Sequence, residues 1–174
     1  MKNFLIVVDI QNDFVNGALG TAEAVAMLPA AEQKIREWDG EIFVTYDTHF
    51  DDYMDSSEGK KLPVAHCIKG TEGWALNARI AEVLDGKEYT AVEKITFGST
   101  ELPALIKKAA GDEEFSVTLI GLCTDICVVS NALILKANFP EADISVDSAC
   151  CAGVTPESHS AALDTMKMCQ INII

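Results

Sequence analysis

No stretch of this 174-residue chain approaches the roughly 18 to 20 consecutive apolar residues of a membrane-spanning helix. The apolar run at the N-terminus, Phe4 to Val8, is broken by Asp9 and is too short for the core of a secretion signal. Without such a signal the six cysteines have no oxidising compartment in which to pair, so no disulfide framework is expected and a cytoplasmic location is. Basic residues are scarce: 13 Lys and Arg against 27 Asp and Glu leave a formal net charge of −14, which disfavours nucleic acid or an anionic membrane as partner. No glycine-rich turn follows the first apolar run, so the phosphate cradle of a dinucleotide site is missing and no organic cofactor is expected. Repeats and low-complexity segments are also absent. Cys150-Cys151 lacks the two-residue spacer of a thioredoxin motif and is expected to be buried in the turn after a strand. Ser57-Glu58-Gly59-Lys60 matches a penicillin-site pattern only in spelling.

What is present is apolar: 49% of the chain, enough for one globular domain, residues 1–174, with a sizeable core. Strand and helix patterns alternate. Strands are predicted at Phe4–Asp9, Glu41–Tyr46, Tyr89–Glu93, Val117–Leu122, Asp143–Val146 and Gln170–Ile174, from apolar, β-branched and aromatic runs. Helices are predicted at Ala22–Trp38, Leu76–Leu84, from Ser99 or Thr100 to Ala110, from Val128 to Ala137, and after Thr155-Pro156-Glu157, where proline and an acid sit in a first turn. This alternation implies an α/β fold, a mostly parallel six-stranded sheet with helices on both faces. Between Asp47 and about Gly73 the pattern lapses for longer than an ordinary connection, which marks a functional loop or lid.

The stretch Gly121-Leu122-Cys123-Thr124-Asp125-Ile126-Cys127-Val128 reads as a strand delivering Cys127 to a helix N-terminus. Unpaired N–H groups and the positive dipole end there favour a thiolate, lowering a cysteine pKa from about 8.5 into roughly 3.5–7.5. Cys127 is therefore expected to be the most readily alkylated of the six, although a small buried hydrophobe is the commoner role of a free cysteine. In parallel sheets, ligands sit at the carboxyl ends of the strands. Asp9 ends the first predicted strand, Lys94 follows the third and Cys127 follows the fourth, so all three are expected at one crevice as base, cation and nucleophile.

A second constellation lies in the long loop. Asp47 and His49 fall on one side of an extended chain, and the loop can return Glu58 and His66 beside them, an oxygen and nitrogen set suited to zinc, iron or manganese. A solvated loop of ordinary composition accounts for the same residues, so spacing leaves both readings open. His159, in the last helix, is expected at the surface.

Taken in order, these pieces resemble the isochorismatase-like cysteine hydrolases, a family that includes nicotinamidases and other small amidases. The matching segments are Val8-Asp9-Ile10-Gln11-Asn12-Asp13-Phe14, Asp47-Thr48-His49, His66-Cys67, Glu93-Lys94 with Phe97-Gly98-Ser99-Thr100, and Gly121 to Val128; they cover essentially the whole chain. The resemblance implies a Rossmann-like three-layer α/β/α fold. It also implies a nicotinamidase-like amidohydrolase working through a thioester on Cys127, with Asp9 as general base and Lys94 holding substrate and thiolate. A cis peptide is implied at Leu122–Cys123, with the backbone N–H groups of Cys123 and Cys127 as oxyanion hole and Phe14 and Leu122 against the substrate. One divalent metal, zinc by first choice and iron or manganese otherwise, is implied at Asp47, His49, Glu58 and His66, with Asp55 in reserve for the loop carboxylate. The implied partners are a small amide and further copies of the chain, as homodimer or homotetramer. Where nicotinamidases of this family place an aromatic ahead of the second metal histidine, this chain has Leu62-Pro63-Val64-Ala65, and Trp74 is the candidate replacement. Another small amide, or binding without catalysis, is compatible with the same fold.

Overall fold

From Phe4 to Val8 every residue is completely buried, which a continuous apolar run achieves only in a strand covered on both faces. This is strand β1 (Lys2–Val8) of the computed structural model, which describes Met1–Ile174. With β2 (Glu41–Asp47), β3 (Thr90–Lys94), β4 (Phe115–Leu122), β5 (Asp143–Ala152) and β6 (Asn172–Ile173) it forms one parallel sheet in the order β3-β2-β1-β4-β5-β6. Alternate side chains pack on opposite faces. Leu5, Val7, Val44 and Ile120 meet α1 (Asn12–Val15), α2 (Ala22–Ala26), α3 (Leu28–Glu37) and α4 (Ala78–Leu84). Phe4, Ile6, Val8 and Leu119 meet α5 (Leu102–Ala110), α6 (Val129–Asn138) and α7 (Pro156–Met168). The predicted three-layer architecture is therefore the observed one.

Local differences have local causes. The helix predicted over Ala22–Trp38 is two helices meeting at Met27, because Pro29 falls in the first turn of α3 and has no N–H to continue the ladder of α2. Strand β5 runs on to Ala152 through a register shift opposite Leu119–Gly121, so Cys150 and Cys151 are buried within the strand and not in the turn after it. Strand β6 is only Asn172–Ile173, shorter than expected. Ser99 does support the start of α5, its Oγ accepting from the N–H groups of Glu101 and Leu102 at 3.3 and 3.1 Å. Thr155 and Ser158 form a reciprocal capping box on α7. No helix is long and apolar enough to cross a membrane.

Chain order reverses between the neighbours β1 and β4, and such a switch point opens a crevice at the carboxyl ends of the strands. Val8 pairs in register with Thr45 on one side and Gly121 on the other, and Asp47 pairs with Lys94, so the four strands end within two residues of one another. Gly121 has φ of 120°, and a Cβ there would run into the Val8 carbonyl. Only glycine lets β1 and β4 close at this point.

Candidate active site

Asp9, the residue after β1, turns into the left-handed region with φ of 47°, a conformation that aspartate tolerates better than most side chains. Its N–H donates to the Thr45 carbonyl at 3.2 Å, and Thr45 Oγ1 donates to Asp9 Oδ1 at 2.6 Å, so Thr45 of β2 holds this buried residue by backbone and by side chain. From the end of β3, Lys94 sends its ammonium into the crevice. Nζ lies 2.6 Å from Asp9 Oδ2, 3.4 Å from Asp47 Oδ1 and 3.5 Å from Cys127 Sγ, and donates to the Thr96 carbonyl at 3.1 Å. Cys127 sits in a π-helical turn, Thr124–Val128, that joins β4 to α6, a wider winding than the α-helical start expected from sequence. The three residues predicted to meet do meet, with Lys94 between the other two.

Electrostatics corrects one expectation. Burial pushes the Cys127 thiol well above its ordinary value and Asp9 adds to this, against the pull of Lys94, so the first turn of a helix does not yield a resting thiolate here. Burial also raises Asp9 despite the adjacent ammonium, making it a stronger base than a solvated aspartate. Lys94 would be lowered by burial, but Asp9, Cys127 and Asp47 outweigh that and hold it protonated.

The long loop returns as predicted. Its only helical turn is Tyr53–Asp55. A bridge pairs His49 with Ile68, the His49 N–H donating to the Cys67 carbonyl at 2.9 Å, while the Cys67 N–H is fixed by Asp13 Oδ2 at 2.8 Å. His66 is thereby set beside His49. Asp47 Oδ2 lies 3.0 Å from His49 Nε2 and 3.5 Å from His66 Nε2, and Glu58 Oε1 lies 3.7 and 3.6 Å from the same two nitrogens. Ligand atoms of Asp47, His49 and His66 all fall within 4.8 Å of one another. His66 Nδ1 is 2.8 Å from the Val64 carbonyl, which can only accept, so Nδ1 carries a proton and Nε2 is the nitrogen turned to the cluster. His49 Nε2 is buried without an aligned hydrogen bond. Asp55 is exposed and stands apart from the cluster; Glu58 is the loop carboxylate that reaches it. Gln11 secures Asp47 from behind, accepting its N–H at 2.8 Å and donating to its carbonyl at 2.9 Å.

Between thiol and cluster lies a narrow cavity of about 50 Å³, walled by Phe14, Leu19, Leu62, Phe97 and Ile126 and opening onto Cys127 on one side and His66 and Glu58 on the other. Larger hollows of about 490 and 530 Å³ lie elsewhere on the surface, but neither contains a nucleophile beside a base. Phe14 lines the site as expected, whereas Leu122 is completely buried in the core, so its successor Cys123 occupies the wall instead. Trp74 does not replace the missing aromatic either: its Nε1–H donates to Thr48 Oγ1 at 2.9 Å and its ring packs 5.3 Å from Tyr46, outside the cavity. Leu62 itself fills the position. His159 is half-buried at the surface, with Nδ1 2.8 Å from Thr124 Oγ1. The Leu122–Cys123 peptide is cis, and the Cys123 N–H is paired with no backbone carbonyl.

Leu19 and Ile126 were not singled out from sequence as wall residues, and neither were Thr45 and Gln11 as supports. Only the period-two alternation of β2 could have pointed to Thr45, which falls on the same face as Asp47.

Comparison with known proteins agrees with this arrangement. A family model described as Isochorismatase domain matches residues 3–174. The nicotinamidase/pyrazinamidase of Mycobacterium tuberculosis is 26% identical over 185 residues, spanning 98% of this chain and 97% of that protein. Among solved structures, nicotinamidase PncA from Bacillus subtilis has a TM-score of 0.85 at 26% identity and covers 99% of each chain. The pyrazinamidase of Pyrococcus horikoshii, solved in complex with zinc, has a TM-score of 0.84 at 23% identity and covers 100% of this chain and 99% of its own.

Proposed function

This chain belongs to the isochorismatase family, and from that premise we propose that it is a cysteine-dependent amidohydrolase whose substrate is nicotinamide, converted with water to nicotinate and ammonia. One observation carries the reading: Lys94 Nζ stands 2.6 Å from a buried carboxylate and 3.5 Å from a buried thiol, and that thiol lines a cavity shared with Asp47, Glu58 and His66 of an oxygen and nitrogen cluster. Full-length likeness to proteins named nicotinamidases supports the choice of substrate.

In the first half-reaction Asp9 takes the proton of Cys127 Sγ as the sulfur bonds to the amide carbon. The carbonyl electrons move to oxygen, which accepts hydrogen bonds from the N–H groups of Cys123 and Cys127. As the oxyanion collapses, the carbon–nitrogen bond breaks, Asp9 returns the proton to the departing nitrogen, and ammonia leaves a thioester. Water then enters, gives a proton to Asp9 and bonds to the thioester carbon. Cleavage of the carbon–sulfur bond releases nicotinate, and Asp9 reprotonates Sγ. Throughout, Lys94 holds the negative charge that shifts between Asp9 and Cys127.

The loop residues fit a divalent metal. His49 Nε2, buried without an aligned hydrogen bond, and His66 Nε2 both converge on the carboxylates of Asp47 and Glu58. Asp47, His49 and His66 would hold the ion with Glu58 as the fourth group; zinc is the first choice for such a donor set, with iron and manganese the alternatives. A bound metal supplies a Lewis-acid contact for a ring nitrogen, and the covalent chemistry stays with Cys127. A second reading, an amidase for a small aliphatic amide, draws on the aliphatic Leu62 in the cavity wall.

Ammonia release from a panel of amides tests the proposal. Nicotinamide is expected to be the preferred substrate, Cys127→Ala to abolish turnover while leaving fold and substrate binding, and Cys127→Ser to be very poor. Near-normal turnover by Cys127→Ala would overturn the mechanism, and preference for an aliphatic amide would select the second reading.

A further inference from the structure

Asn131 is a completely buried polar side chain on α6 with no part in the chemistry above. Its amide is fully engaged. Oδ1 accepts the Ser99 N–H at 2.9 Å, while Nδ2 donates to the Phe97 carbonyl at 3.2 Å and to the Cys127 carbonyl at 2.8 Å. One side chain thus ties the backbone of the nucleophile to the segment that leaves β3 after Lys94. That segment has few other anchors: Lys94 Nζ bonds the Thr96 carbonyl, and Gly98 packs so closely on Ile134 of α6 that a Cβ would collide with it.

The ring that this segment carries is a partition. Phe97 walls the 50 Å³ cavity over Cys127 and also borders an outer hollow of about 280 Å³ that contains His49, Ser57, Glu58 and Ile95. It is 42% exposed, so neighbouring side chains do not lock it in place and its position depends on its backbone. We propose that Asn131 is a positioning residue that, acting through Phe97, sets the breadth of the acyl group admitted to Cys127: amides of a single ring enter, and fused bicyclic amides are held out. This rests on the acyl-transfer reading of the site and adds its size limit. Without the Asn131 amide, Phe97 swings outward and the inner and outer hollows become one.

The experiment compares wild type with Asn131→Leu, close in size but without hydrogen bonds, and with Phe97→Ala. Asn131→Ser, too short to span to Phe97 and Ser99, is measured in the same way in case the leucine variant does not fold. The first readout is kcat/KM for quinoline-3-carboxamide relative to nicotinamide. Each variant is expected to raise this ratio roughly tenfold or more, a typical effect of one altered pocket contact, with nicotinamide losing more in KM than in kcat. The double variant should gain no more than either single one, because both act on the same ring. The second readout needs no turnover: modification of Cys127 by a bulky aryl maleimide relative to iodoacetamide, followed by peptide mass spectrometry, is expected to rise in the same variants. If no amide is hydrolysed and the labelling ratio still rises, the gate stands and the amidase reading falls. If the folded Asn131 variants lose thermal stability and both ratios stay within about twofold of wild type, a shift well below that of an altered pocket contact, Asn131 is structural only and the proposal is overturned.

Discussion

Lys94→Met is expected to cost both stability and turnover, because this one ammonium stands between two carboxylates that repel each other and beside the thiol. It is 5% exposed, 2.6 Å from Asp9 Oδ2 and 3.4 Å from Asp47 Oδ1. Methionine keeps the apolar stem and strands Asp9 in the crevice, while Asp47 keeps His49 and His66. Removing one partner of a buried ion pair costs about 3–5 kcal/mol. With a urea m-value of roughly 2 kcal/mol/M, that lowers the unfolding midpoint by roughly 1.5–2.5 M near neutral pH. Burial already raises Asp9, and loss of the ammonium raises it further. Between the unfolded carboxyl pKa of about 3.9 and its raised folded value, the native state of the variant therefore binds more protons than the unfolded state, and stability falls as pH increases through that window. The deficit against wild type should be smaller near pH 4 than near pH 7, and Asp9→Asn in the Lys94→Met background should restore part of it. Turnover should fall by roughly a thousandfold or more. Urea titrations followed by tryptophan fluorescence at the two pH values read this directly. A midpoint drop below about 0.5 M near pH 7 would refute the assignment of Lys94 as the charge that buried Asp9 requires.

Iodoacetamide at neutral pH is expected to modify the exposed Cys169 first and Cys127 late, since burial and Asp9 keep the latter as a thiol. Peptide mass spectrometry of a labelling time course checks this, and early labelling of Cys127 would reinstate a resting thiolate. Elemental analysis of native protein should find about one divalent metal per chain, and His49→Ala should remove most of the affinity. A chelator should weaken nicotinamide binding and leave Cys127 alkylation unchanged; full-rate nicotinamide hydrolysis by metal-free protein would return the loop residues to an ordinary solvated lid.

How much was legible from sequence depended on the range of the cause. The strands β1 and β4 announce themselves through continuous apolar runs, because covering a sheet on both faces leaves no place for alternation. The meeting of Asp9, Lys94 and Cys127 follows from a topological rule, that parallel strand ends share one edge, so distances of 85 and 33 residues along the chain do not matter. Side-chain direction within the crevice has no such rule. Leu122 and Cys123 are neighbours, yet one packs into the core and the other faces the cavity, and Trp74 spends its ring on Tyr46 and its N–H on Thr48. Asn131 follows Cys127 by four residues, one helical turn, but nothing in that spacing shows that its amide also reaches Phe97 and Ser99, which approach from another strand.

The raised thiol and the expected thiolate are reconciled by following the charge. Around Sγ the crevice buries one ammonium, Lys94, with two carboxylates, Asp9 and Asp47. Ionising Cys127 outright would add a third anion against the one ammonium that touches the sulfur, and the positive end of the π-helical turn is too small a charge to compensate. Moving the proton from Sγ to Asp9 is different, because the net charge of the crevice does not change. The negative charge passes from one neighbour of Lys94 to another, from a contact of 2.6 Å to one of 3.5 Å. Burial therefore opposes a free thiolate far more than it opposes this exchange, and the nucleophile exists only as the partner of a protonated Asp9. The titration that limits the rate then belongs to the thiol and carboxyl as a pair. It follows that Asp9→Asn should silence the site with Cys127 in place, since asparagine leaves the sulfur its proton and offers no acceptor for it.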